Sequence, residues 1–94
     1  MAKIYKTDGT VVATEPRNGK NFQLSELRDI VGGYIEVVAL CGGFYMVVNE
    51  EGKLRNLPFN REATNVLQKM AANKGYVNDY ICGNALVCEK TQLL

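Results

Sequence analysis

Phe44-Tyr45-Met46-Val47-Val48, Asn49-Glu50-Glu51-Gly52, Lys53-Leu54-Arg55-Asn56-Leu57 and Pro58-Phe59-Asn60 run consecutively, and their reading decides the fold. Two β-prone runs flank a polar turn that ends in glycine, which predicts a hairpin of strands 44–48 and 53–57. Asn60 then suits an N-cap, because its side-chain oxygen can accept a bond from a free helix N–H. Glu62 in the first turn complements the helix dipole. Ala63, Val66, Leu67 and Met70 recur at i, i+3, i+4 and i+7. That spacing predicts a helix whose apolar stripe, Val66, Leu67 and Met70 included, packs on the sheet while Lys69 and Asn73 face water.

Working outward, Tyr34 to Leu40 is a β-branched strand, turned into the next by Cys41-Gly42-Gly43. The result is a meander of strands 34–40, 44–48 and 53–57. Before it, Leu24, Leu27, Ile30 and Val31 fall at helical spacing, with Glu26, Arg28 and Asp29 on the other face. Gly32-Gly33 supplies a left-handed stop. At the N-terminus, Lys3–Lys6 and Thr10–Thr14 flank Asp8-Gly9, a strong hairpin signal. Glu15 to Asn21 reads as a surface loop. Downstream, Asn73-Lys74-Gly75 closes the second helix and residues 80–88 form a last strand. Gly83-Asn84 inside that strand predicts a bulge or a close backbone approach.

The element order is ββ-α-βββ-α-β. It predicts an α+β fold, a mostly antiparallel sheet covered on one face by two short helices, in a single domain over residues 1–94. Strands 34–40 and 44–48 are apolar on both faces. With both helices on one face, the other would stay bare, so the pattern predicts self-association into a homo-oligomer through that face or a sheet edge.

Composition narrows the chemistry. The chain has 94 residues, with 11 basic and 10 acidic side chains and a net charge of +1. A dedicated duplex nucleic-acid binder carries a basic excess that this chain lacks. No apolar run approaches the ~20 residues of a membrane span. Met1-Ala2-Lys3-Ile4 is no signal sequence, so a cytoplasmic location is expected. The three cysteines, Cys41, Cys82 and Cys88, form no CxxC and read as small apolar residues. Histidine is absent, which excludes Ser/His/Asp and Cys/His catalysis. Too few soft ligands remain for a structural zinc site. Glu50-Glu51 reads as a polar turn, and Gly32-Gly33 follows a helix rather than opening one, so it is no phosphate cradle. No enzyme activity, metal or cofactor is expected.

Two basic, amide-rich clusters are candidate sites. Arg17-Asn18-Gly19-Lys20-Asn21 forms one, and Arg55-Asn56 with Asn60-Arg61 forms the other. Arginine's planar fork suits phosphate or carboxylate, and a helix N-terminus offers free N–H groups to an anion. The expectation is an anion-accepting site of Arg55, Asn60 and Arg61, joined by Arg17 and Lys20 from the loop. The alternative is ordinary solvated surface charge.

Three blocks also carry a resemblance: Ile30-Val31-Gly32-Gly33-Tyr34-Ile35-Glu36, then Val48 to Leu54 with Leu57 to Ala63, then Ile81-Cys82-Gly83-Asn84-Ala85-Leu86-Val87. In this order they resemble a family of small uncharacterised domains found in bacteriophages and bacterial mobile elements, over about Leu24 to Cys88. The resemblance brings no catalytic residues. It implies an accessory protein of a phage or mobile element, and by analogy one that binds a host protein or sequesters a signalling nucleotide. The expected function is a non-catalytic binding module that occupies a host protein partner. The alternative is a nucleotide-binding or sequestering protein with a pocket between subunits.

Overall fold

The computed structural model describes residues 2–76 and 78–93, and only the backbone of Lys74. Asp8-Gly9 makes its hairpin: β1 (Ala2–Tyr5) and β2 (Val11–Thr14) pair antiparallel, with Ala2 opposite Thr14. The loop Pro16–Asn21 then leads through buried Phe22 to α1 (Leu24–Val31), which buries Leu27 and Val31. Gly32 ends α1 in the left-handed region, its N–H donating to Arg28 O at 2.8 Å.

Glu26 is not on the outer face with Arg28 and Asp29, as the spacing predicts; it is buried. Its carboxylate accepts the backbone N–H of Gln23 at 2.9 Å and of Arg17 at 2.8 Å. Those bonds, Gln23's first, hold its carboxyl below the ordinary carboxylate range. Leu24 takes the exposed position instead. Satisfying the donors of the preceding loop outweighs burying one leucine on the helix's first turn.

Strands β3 (Ile35–Leu40) and β4 (Phe44–Asn49) form the expected hairpin, from Ile35 opposite Asn49 to Leu40 opposite Phe44. The predicted strand 53–57 does not form. Residues 50–56 coil into turns, with Arg55 N–H donating to Glu51 O at 2.9 Å and Leu57 N–H to Gly52 O at 3.0 Å. The free side of β4 is taken by β7 (Ala85–Glu89), a strand distant in sequence, so no slot remains for a local third strand. Buried Asn49 turns the chain away. Its Oδ1 accepts from Glu51 N–H at 2.8 Å and its Nδ2 donates to Val31 O at 3.1 Å.

The chain next makes β5 (Phe59–Asn60), α2 (Arg61–Met70), a 3₁₀ turn at 74–76, β6 (Ile81–Cys82) and β7. β5 and β6 pair only with each other, so the single strand expected over 80–88 is two strands in different sheets. Gly83 is the break. Its φ is +94°, and a Cβ there would sit 2.9 Å from Leu57 Cδ1, the close approach its position predicts.

The main sheet is antiparallel, in the order β2-β1-β7-β4-β3. The α+β class and the antiparallel sheet are as the sequence predicts. The placement of both helices on one face is not. α2 packs Ala63 and Leu67 on Val38, Leu40, Met46, Val48 and Ala85. α1 packs Leu27 and Val31 on the opposite face, with Ala2, Val47, Leu86 and Cys88. Both strand faces are apolar because each is covered by its own helix, and a bare face no longer argues for self-association.

Candidate functional site

The five basic and amide residues singled out by sequence do not converge. Asn60 is fully buried and both polar atoms of its amide are engaged within the fold. Its Oδ1 accepts from Ala63 N–H at 3.0 Å, which makes it the predicted N-cap, and its Nδ2 donates to Tyr5 O and Gly83 O at 2.8 and 2.9 Å. It has nothing to offer a ligand. Arg61 is exposed on the first turn of α2. Arg55 is exposed on the turn after β4, with its guanidinium against Gly33. Arg17 pairs with Asp29 of α1 at 3.5 Å, and Lys20 is exposed on the same loop. That loop adjoins α1, whereas Arg61 opens the helix on the other face of the sheet. No hydrogen bond or ion pair among the described residues joins Arg17 or Lys20 to Arg55 or Arg61.

A cleft of about 320 Å³ lies elsewhere, over the α2 face of β3 and β4. Its floor is Val38, Val48 and Ile81, all buried. One wall comes from the turn after β4. Gly52 lets that turn press against β6: a Cβ on it would collide with the carbonyl oxygen of Cys82. The other wall is Tyr76 with Asp79 to Cys82, the latter stretch tied to α2. Gln68 Nε2 donates to Asp79 O at 3.0 Å, and Ile81 N–H donates to Thr64 Oγ1 at 2.9 Å.

Lys53 of the first wall bonds Asp79 of the second, and its ammonium lies 4.2 Å from the centre of the Tyr80 ring. The ion pair raises the Lys53 pKa and lowers that of Asp79. Tyr76 O–H reaches Glu36 Oε2 at 3.4 Å, and the Glu36 charge, followed by burial, raises the phenol's pKa. Leu54, 84% exposed, stands on the rim, and exposed Tyr80 tilts toward exposed Phe59 with ring centres 6.3 Å apart. Among the described residues, Glu36, Glu50 and Asp79 line the cleft with a single ammonium, Lys53, already committed to Asp79. The cleft is therefore acidic and aromatic, the reverse of an anion site.

Sequence reasoning missed this cleft because its walls lie far apart in the chain. The available signal was the polar-aromatic run Asn78-Asp79-Tyr80 where the loop meets the expected last strand. Cys82 sits half-buried beside the cleft, Cys41 is exposed, and Cys88 is buried with its thiol pushed up to about 11 by desolvation. Among the described residues no cluster of metal-ligating side chains forms, and no helix is long and apolar enough to cross a membrane.

Fold and cleft together define a small α+β domain with an open acidic recess. The chain belongs to the family described as a domain of unknown function, DUF3846, whose model matches residues 3–92. No curated protein and no solved structure matches it.

Proposed function

We propose that this chain is a non-catalytic binding module whose cleft accepts a protein segment bearing basic and apolar side chains. The observation that supports this reading is the lining among the described residues: three carboxylates, one committed ammonium, and exposed Leu54 and Tyr80, with exposed Phe59 beside Tyr80. An apolar floor with few polar groups is the usual make-up of a recognition pocket. A lysine or arginine entering it would meet Glu36 and Glu50, while neighbouring apolar side chains covered the rim aromatics. A phosphate would meet carboxylates instead, which weighs against nucleotide sequestration. The phage or mobile-element setting implied by the sequence resemblance makes a host protein the natural partner and the host cytoplasm the natural location.

Calorimetric titration separates the two readings. Peptides with Lys or Arg among Leu and Phe are expected to bind, to weaken with added salt, and to lose about tenfold or more in affinity, roughly 1.4 kcal/mol, in Glu36→Lys and Leu54→Ser. The reading fails if these peptides give no heat while nucleotides or cyclic dinucleotides bind and Arg61→Ala abolishes that binding.

A further inference from the structure

The two rims of the main sheet are treated differently. At the β3 rim the chain covers itself: Ala72 N–H donates to Ala39 O at 3.0 Å and Cys41 N–H to Met70 O at 2.7 Å. At the β2 rim no described residue does so. Lys6 N–H donates to Thr10 O at 2.9 Å and Ile4 lies opposite Val12. Hydrogen-bonding direction alternates along a strand, so Val11 and Ala13 point their N–H and C=O groups away from β1. No hydrogen bond among the described residues engages those groups. Val11 is 45% and Val12 41% exposed, and Ala13 is exposed as well.

Edge strands are usually guarded by a charge, a proline or a bulge. Thr10-Val11-Val12-Ala13-Thr14 carries no charge and no proline. It is also nearly palindromic about Val12. An antiparallel copy related by a two-fold axis at Val12 sets Thr10 against Thr14, Val11 against Ala13 and Val12 against itself. No charges are opposed, and threonine faces threonine, a favourable cross-strand pair. Four backbone bonds close between the outward groups of Val11 and Ala13 in the two copies, and the main sheets join into one.

We propose that the β2 rim is the interface for a second copy of this chain, paired about Val12. Four residues per strand make a weak contact, so dissociation at about 100 μM is expected. The cleft lies at the β3 end of the sheet, so failure of either proposal leaves the other standing.

Sedimentation equilibrium up to about 1 mM is the first test, and a strictly monomeric protein there overturns the proposal. Ala13→Pro keeps the hairpin, since the Ala13 N–H points outward, but removes two of the intersubunit bonds. It should weaken the dimer at least about tenfold while circular dichroism is unchanged; an undiminished dimer overturns the proposal. Should that variant unfold, Val12→Lys decides, because the axis would set two ammonium groups face to face and must yield a monomer. Register is read by oxidation in a Cys41→Ser background. Val12→Cys should cross-link, since Cα atoms about 4.5 Å apart across a non-hydrogen-bonded pair suit a disulfide. Val11→Cys should not, and equal cross-linking of both, or of neither, refutes the register.

Discussion

Asn60 shows how much one side chain can hold. It caps α2 through Ala63 N–H and ties the start of that helix to β1 through Tyr5 O and to the β6–β7 break through Gly83 O. Asn60→Ala strands a helix N–H and two carbonyls and should cost about 3 kcal/mol. Asn60→Asp restores the cap acceptor but turns a carboxylate on two carbonyl oxygens, so it should not recover that loss. Urea midpoints of the two variants check this: recovery by Asp would mean that only the cap matters. The cap was legible from the sequence, because Asn before a helix has a local role. Its long-range bonds were not, since Tyr5 and Gly83 meet it only in the folded chain.

At the scale of elements, α2 carries the packing of its face. Leu67 is fully buried among Val38, Met46 and Ala85, whereas Met70 is 36% exposed and Val66 only partly buried. The apolar stripe at 63, 66, 67 and 70 does mark a helix, with Lys69 and Asn73 outside, but its buried face is turned toward Ala63, Thr64 and Leu67. Thr64 is buried because its hydroxyl links Asn60 O to Ile81 N–H, a demand that periodicity does not reveal. Leu67→Ala should therefore cost about 2–4 kcal/mol, and Met70→Ala under about 1. Equal shifts in the denaturation midpoint would contradict this orientation of the helix.

Across the whole molecule, the α1 face of the sheet closes over Cys88, whose thiol burial pushes its pKa from 9.0 up to about 11. The folded chain then holds that proton to higher pH than the unfolded chain. This contribution to stability is complete below about pH 9 and is lost as pH rises toward 11. Stability measured by urea denaturation should fall over that window, and Cys88→Ala, less stable at neutral pH, should fall less steeply. An identical alkaline decline in both proteins would place the loss on other groups. Thiol labelling gives a parallel check: exposed Cys41 should react in the native protein, and Cys88 only on unfolding.

Local chemistry alone determined the two helices, the Asp8-Gly9 hairpin, the β3–β4 hairpin, the Asn60 cap and the special role of Gly83. Each depends on residues close together in the chain, where turn geometry, side-chain period and capping act directly. Tertiary structure decided the rest. Residues 53–57 look like a strand, yet they coil because β7 fills the place beside β4. The helices take opposite faces because the sheet is assembled from both ends of the chain, with β7 set between β1 and β4. The basic residues were dispersed and an acidic cleft was built from Glu36, Glu50 and Asp79 by the same long-range pairing. Hydrophobic pattern states which faces must be buried. Only the competition among strands for hydrogen-bonding partners states what buries them.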